Sequence, residues 1–207
     1  MIHVVTPANA HRYGDAMEQA WRLRHQIFVE EKGWTDLARP DGREIDQFDT
    51  PHAVHFLAME GDTVIGYSRL LPTTRPHLLS DIYPQLCEGE RPAGPHLWEW
   101  TRQGVARSHR ARGRVVNPVS IALLTGIVEW GMAHGLTGLL LQMPTLYMIH
   151  VIQLHFRAQP LGLPVQIGGE DIMAATAAFD LRTLARLRTV HGDSRSVLVS
   201  EQAYLAA

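Results

Sequence analysis

Residues 21–50 read WRLRHQIFVEEKGWTDLARPDGREIDQFDT, an amphipathic helix that runs into a polar loop dense with carboxylates. At 3.6 residues per turn, Tyr13, Met17, Ala20, Trp21, Ile27 and Phe28 fall on one apolar stripe, and Arg24 falls inside it. A guanidinium does not shed its proton, so on a buried face it needs carboxylate partners. The loop that follows offers Asp41, Glu44, Asp46 and Asp49. Two readings are open at this point. One is a structural ion pair tying helix to loop; the other is an electrostatic pocket that recognises a zwitterion.

Working outward, residues 2–6 read as a short strand and residues 8–32 as the first helix, ended by Gly33. Residues 34–51 hold no period and are long for a loop in a compact domain, which marks them as functional. Residues 53–60 and 63–71 form an antiparallel hairpin around Gly61 and Asp62. A short helical segment at 78–86 precedes an aromatic strand at 96–105, HLWEWTRQGV. Asn117 and Pro118 give a cap and a first-turn proline to a helix ending near residue 133. A buried strand at 136–143, a short helix at 146–156, a strand at 171–179, a helix capped by Asp180 and an edge strand at 196–199 complete the chain. No repeat or linker interrupts it. The expectation is one α/β domain over residues 1–207, with a mixed, largely antiparallel sheet flanked by helices.

Composition narrows the function classes. The net charge of −2 lacks the basic excess of a nucleic-acid binder. A single cysteine, Cys87, excludes an internal disulfide and fits the reducing cytoplasm. The first residues show no signal-peptide pattern, and the most apolar region, 136–152, is broken by Gly138, Gln142, Pro144 and His150, so no membrane span is expected. His52 with His55, and His150 with His155, form no complete ligand set, so no metal is assigned.

Three further charges sit in segments that read as buried. Arg69 follows Ile65 and Tyr67 at period two, Glu99 lies between Trp98 and Trp100, and Arg102 comes three residues later. Unpaired, Glu99 would be strongly disfavoured there; paired with an arginine it is tolerable, and a partly desolvated glutamate can act as a general base. Simple alternation puts Glu99 and Arg102 on opposite faces unless the strand bulges, which Gln103 and Gly104 permit. Arg24, Asp46, Asp49, Arg69, Glu99 and Arg102 thus form a charge-balanced set that suits either an internal ion network or a ligand carrying both amine and carboxylate. A second cluster, Arg107, His109, Arg110, Arg112 and Arg114, precedes the helix start at Asn117. It reads either as a solvated turn or as a phosphate site. It partly resembles the arginine-x-x-glycine-x-glycine loop of acetyltransferases, without the second glycine.

The ordered spacing of Arg24, Phe28, Trp34, Asp46, Asp49, Arg69, Glu99 and Arg102 resembles the signature of the acyl-homoserine-lactone synthases, the LuxI-type autoinducer synthases of quorum sensing. The connecting text RLRHQIFVEE, PDGREIDQFD, GYSRLLPTTRPHLLSDIYPQL and WEWTR is similar too. The resemblance implies a fold like the GCN5-related N-acetyltransferases, whose sheet splits in a V. It implies an acyltransferase that joins S-adenosylmethionine, a substrate and not a cofactor, to an acyl thioester. It also implies that Glu99 serves as base with Asp46 assisting, and that Arg24, Phe28, Trp34, Asp49, Arg69 and Arg102 bind S-adenosylmethionine. Thr101, Met143, Thr145, Tyr147 and Arg110 are the expected acyl or thioester contacts, with Leu146, Ile149 and Ile152 as further candidates for the acyl pocket. Backbone N–H groups at a bulge near residues 101–103 would serve the oxyanion. The position where many members carry the Thr or Ser that contacts a 3-oxo group falls at Met143 or Pro144. The expected donor is therefore acyl-coenzyme A with a short, branched or aryl chain, acyl carrier protein being the alternative. A related-fold N-acyltransferase without lactonisation and a non-catalytic binder are the competing functions.

Overall fold

The computed structural model describes residues 1–111 and 116–199. One eight-stranded sheet organises them, built from β1 (Ile2–Val5), β2 (Val54–Glu60), β3 (Thr63–Pro72), β4 (Leu97–Val105), β5 (Gly138–Pro144), β6 (Arg157–Pro160), β7 (Val165–Ile167) and β8 (Glu170–Ala178). The strands lie in the order β1-β2-β3-β4-β5-β8-β6, with β7 following β6 along the outer edge of β8. All pairings are antiparallel except β4 with β5. The hairpin of β2 and β3, the aromatic strand and the capped helix starts lie where the sequence places them. β6 and β7 carry too few apolar alternations to be read from sequence, and they form because β8 offers an open edge. The expected edge strand at 196–199 is reduced to one parallel bridge between Leu198 and Ile2.

Two apolar layers cover the sheet. On one face α1 (Gly14–Arg24) packs Tyr13, Met17 and Ala20 against Val5, Leu57 and Tyr67. On the other, α3 (Pro118–Ala133) and α5 (Leu181–His191) lie over Phe56, Leu70, Leu139 and Leu141, with Trp130 edge-on to Phe56 and Trp98. Two shorter helices, α2 (Leu78–Asp81) and α4 (Met148–Gln153), fill the ends. Trp98 and Trp100 face the α3 side while Leu97, Glu99 and Thr101 face the α1 side, as the alternation of a strand requires.

Two irregularities shape the α1 side. The first helix does not run uniformly to residue 32; from His25 to Glu31 it widens to a π-helix, with Lys32 N–H reaching the carbonyl of Ile27 five residues back. Such widenings gather at functional sites, and this one carries Phe28. β4 bulges after Thr101. Thr101 pairs with Arg69 and Gly104 with Tyr67, so two residues of β4 stand opposite Ser68 alone, and Arg102 takes a positive φ of 56°. Beyond Trp100 and Leu141, β4 and β5 part: β4 goes on to Val105 beside β3 alone, and β5 to Pro144 beside β8 alone. The sheet therefore splits in a V, as expected.

Gly66 on β3 lies directly under α3. A Cβ there would sit 2.8 Å from Val119 Cγ1, 3.1 Å from Leu123 Cδ1 and 3.3 Å from Ala58 Cβ. Gly66→Ala is expected to destabilise the fold by about 1–3 kcal/mol through overpacking, read as a lower urea midpoint; an unchanged midpoint would show that α3 shifts freely on the sheet.

Candidate active site

Arg24, Arg69 and Arg102 converge from three elements, on the α1 side of the sheet, onto carboxylates of the loop between the π-helix and β2. Arg24 and Glu44 are fully buried, at 0 % exposure each. Arg24 Nε donates to Glu44 at 2.6 Å, and its two terminal nitrogens donate to Asp49 at 2.8 and 2.9 Å. Arg69 grips Asp46 with a parallel pair of bonds at 2.7 and 2.9 Å and donates from Nε to Thr101 Oγ1. Arg102 donates to both oxygens of Glu44, at 3.1 and 3.2 Å, and to Asp46 at 2.8 Å. The bulge makes this possible by turning Thr101 and its neighbour Arg102 to the same face.

The charge balance predicted from sequence holds with a different third anion. Glu44 takes the place assigned to Glu99, which meets no arginine. Glu99 accepts instead the backbone N–H groups of Leu78 and Leu79, both at 2.8 Å, and the side-chain amide of Gln142 at 2.9 Å. The expectation that an arginine makes Glu99 tolerable is thus corrected: three neutral donors do so. Burial pushes the Glu99 carboxyl above its ordinary range, and the N–H groups of Leu79 and Leu78, the nearby His77 and the Gln142 amide only partly oppose it. Asp49 behaves oppositely: burial would raise its pKa, but Arg69 and Arg24 hold it well below the usual carboxylate range.

Aromatic groups complete the pocket. Phe28 and Trp34 stack at 5.1 Å between ring centroids, and the Arg102 guanidinium lies 5.4 Å from each ring. Tyr67, fully buried, lies under the Arg24 guanidinium and accepts an N–H from it at 3.2 Å. Arginine only donates, so the phenol keeps its own hydrogen for His55 Nδ1, 2.6 Å away. That makes Nδ1 an acceptor and places the ring hydrogen on Nε2. Burial, and the charges of Arg69 and Arg24, depress the His55 pKa to about 4 against the pull of Asp49 and Asp46.

A cleft of about 860 Å³ opens where β4 and β5 part. Trp34, Asp46, Thr101, Arg102, Gln142 and Met143 line it, together with the apolar Leu78, Tyr83, Trp100 and Ile172. Glu99 lies directly behind Leu78 and Gln142. Thr145 and Tyr147, expected along the acyl path, are outside this lining; Tyr147, Leu146, Ile149 and Ile152 are exposed. Arg110 folds back to Glu31 at 2.5 Å and to the Val105 carbonyl at 2.8 Å. Arg112 and Arg114 lie outside the described residues.

Sequence reasoning offered Glu44 as one of four partners for Arg24 but left it out of the charge-balanced set, and gave Tyr67, His55 and Gln142 no role in the site. A signal existed for Glu44, because a glutamate free to act as a base leaves the three arginines one carboxylate short. Gln142 was visible as the one polar side chain in the apolar run of β5. Tyr67 and His55 carried no such signal.

The autoinducer synthase family model matches residues 9–181. The isovaleryl-homoserine lactone synthase of Bradyrhizobium diazoefficiens is 38% identical over 185 residues, covering 89% of this chain and 82% of that one. The structure of BjaI, a CoA-dependent acyl-homoserine lactone synthase, with SAM and isopentyl-CoA superposes with a TM-score of 0.89 at 36% identity, over 96% of this chain and 92% of that one. MesI, another CoA-dependent acyl-homoserine lactone synthase, gives 0.87 at 32% identity over 97% and 100%. An N-acetyltransferase from Lactobacillus plantarum shares the fold alone, at 0.55 and 19% identity.

Two stability measurements follow from the ion network. Glu44→Ala leaves Arg24 and Arg102 short of a buried counter-charge and is expected to cost about 3–5 kcal/mol; a loss below about 1 kcal/mol in urea unfolding would mean that the network repairs itself. His55 is neutral in the folded chain above pH 4, whereas an unfolded histidine protonates near 6.5. The unfolded state then binds more protons between those values, so stability present above about pH 6.5 is lost as pH falls toward 4. Between pH 7 and 5 the wild type should lose about 2 kcal/mol more than His55→Gln; parallel pH curves for the two would refute this assignment.

Proposed function

The chain belongs to the autoinducer synthase family, and on that premise we propose how it works: as an acyl-homoserine-lactone synthase that joins S-adenosylmethionine to an acyl-coenzyme A. The observation that carries the reading is Glu99, a carboxylate buried behind the cleft, next to an arginine–carboxylate network that is already neutral. Because Arg24, Arg69 and Arg102 balance Glu44, Asp46 and Asp49, the network adds no net charge to whatever binds. S-adenosylmethionine brings an ammonium, a sulfonium and a carboxylate, one positive charge in excess. Glu99 is the group that offsets it.

In this reading the methionine carboxylate lies at Arg102, whose Nη1 is not engaged by Glu44 or Asp46. The sulfonium sits by Phe28 and Trp34, where a cation over an aromatic face gains about 0.5–2 kcal/mol. Arg24, Arg69, Asp46 and Asp49 hold that wall in place. Glu99, directly or through a water, takes a proton from the ammonium, with Asp46 assisting. The free amine attacks the thioester carbonyl, and bulge N–H groups near Thr101 to Gln103 receive the negative oxygen. Collapse of this intermediate breaks the carbon–sulfur bond, leaving the amide and the coenzyme A thiol. The methionine carboxylate then displaces methylthioadenosine from its own γ-carbon and closes the lactone.

The acyl chain enters between β4 and β5, against Tyr83, Trp100, Met143 and Ile172. The isovaleryl and isopentyl groups of the similar synthases support a short branched chain carried by coenzyme A rather than by a carrier protein. The phosphates of the donor would meet the basic turn at Arg107 to Arg110. Cytoplasmic residence follows from these two metabolites; among the described residues no helix is long and apolar enough to cross a membrane.

Purified enzyme supplied with S-adenosylmethionine and isovaleryl-coenzyme A is expected to release methylthioadenosine and free thiol in equal amounts. Glu99→Gln should lower kcat by about 10²–10⁴-fold. Because burial raises the Glu99 pKa, wild-type kcat should fall on acidification at a pH above the ordinary glutamate range. Thiol release without methylthioadenosine would identify a plain N-acyltransferase instead, and full activity of Glu99→Gln would remove Glu99 as the base.

A further inference from the structure

Glu99 has no exposed surface of its own, so something must connect it to the cleft. Among the cleft-lining groups, two touch its carboxylate: the Leu78 backbone N–H on Oε2 and the Gln142 side chain on Oε1. Sheet geometry explains why Gln142 is there. Glu99 pairs with Leu140 across the parallel β4–β5 ladder, and Gln142 follows Leu140 by two residues, so its side chain shares that face. Leu140 stays in the apolar cluster with Leu79, Leu97 and Ala174. Gln142, at the point where the strands part, stands between that cluster and the cleft.

We propose that Gln142 is a positioning residue for Glu99, fixing its carboxylate and holding it ionised from the neighbouring strand. An ionised carboxylate accepts only, so the amide must present its N–H₂ end to Glu99. The amide oxygen is then left as an acceptor on the cleft side, where a substrate ammonium arrives. A protonated Glu99 would accept the Gln142 N–H more weakly than the carboxylate does, so this bond favours the ionised form. Leu79 and Leu78 supply two N–H bonds that no side-chain change removes. Gln142 is the third, and the only one of the three that mutation can delete without moving the chain. Its amide stabilises the state in which Glu99 is ready to take a proton, in a setting where burial favours the opposite state.

The inference rests on Glu99 as the base, and its test separates the two. Gln142→Met keeps the length of the side chain without the donor, and Gln142→Glu adds a like charge. The pKa of Glu99 is read directly by ¹³C NMR of the side-chain carboxyl, its resonance assigned by loss in Glu99→Gln, while kcat against pH is measured by methylthioadenosine release. In Gln142→Met the Glu99 titration is expected to rise by about one pH unit, and further in Gln142→Glu. The acid limb of kcat should move with it, giving about tenfold slower turnover at a fixed pH below the limb and recovery toward the wild-type rate at high pH. A Glu99 titration unmoved in both variants, with kcat lowered equally at every pH, overturns the role of Gln142. A Glu99 titration that moves while the acid limb stays leaves Gln142 as its positioning residue and overturns Glu99 as the base.

Discussion

Glu44 ties the active side of this molecule together. It is a carboxylate without solvent contact, held by Arg24 from the first helix and by Arg102 from the bulge of β4. A lone buried charge is among the most costly things a fold can contain; Glu44 is tolerable because both arginines meet it, and they are held in turn by Asp49 and Asp46. The loop at 34–51 therefore cannot drift, although it has little regular structure. Its carboxylates are fixed by the same bonds that neutralise the arginines, and Trp34 and Phe28 are fixed with them.

Two departures from regular geometry turn this network into a site. The π-helix adds a residue to the turn that carries Phe28, and the bulge turns both Thr101 and Arg102 toward the loop. Each gives up regular backbone pairing; at the bulge, the bonds of Arg102 to Glu44 and Asp46 compensate, and at the π-helix Phe28 stacks on Trp34. Where β4 and β5 separate, the sheet opens a cleft whose floor is polar on the arginine side and apolar toward Met143 and Ile172. A zwitterionic substrate and an acyl chain can thus meet at one place, with Glu99 behind it. Glu99 and the ion network are kept apart: no arginine touches Glu99, so its proton affinity is governed by burial and neutral donors rather than by the strong fields around Asp49.

Much of this was legible in the sequence. The Gly61-Asp62 turn between two apolar runs gave β2 and β3, and Asn117, Pro118 and Asp180 marked where α3 and α5 begin. Arg24 inside an apolar stripe and Arg69 in a strand were detectable because a charge breaks a local pattern. Their number also implied a matching set of carboxylates. The spacing of eight positions carried the family resemblance, and the family match and similar structures agree with it.

What the chain could not state locally, the tertiary structure decided. Which carboxylate completes the network is a question of distance: Asp41, Glu44 and Glu99 are equivalent as letters, and only the fold sends Asp41 to Arg43 at the surface and Glu44 to the centre. Tyr67 and His55 matter because Arg24 lies over one and the other lies across the hairpin from it. Gln142 matters because two parallel strands, far apart in sequence, bring its amide to Glu99. Local patterning determined which residues are buried and which charges need partners. The choice of partner was left to long-range packing, because a hydrogen bond depends on positions in space that no single segment fixes.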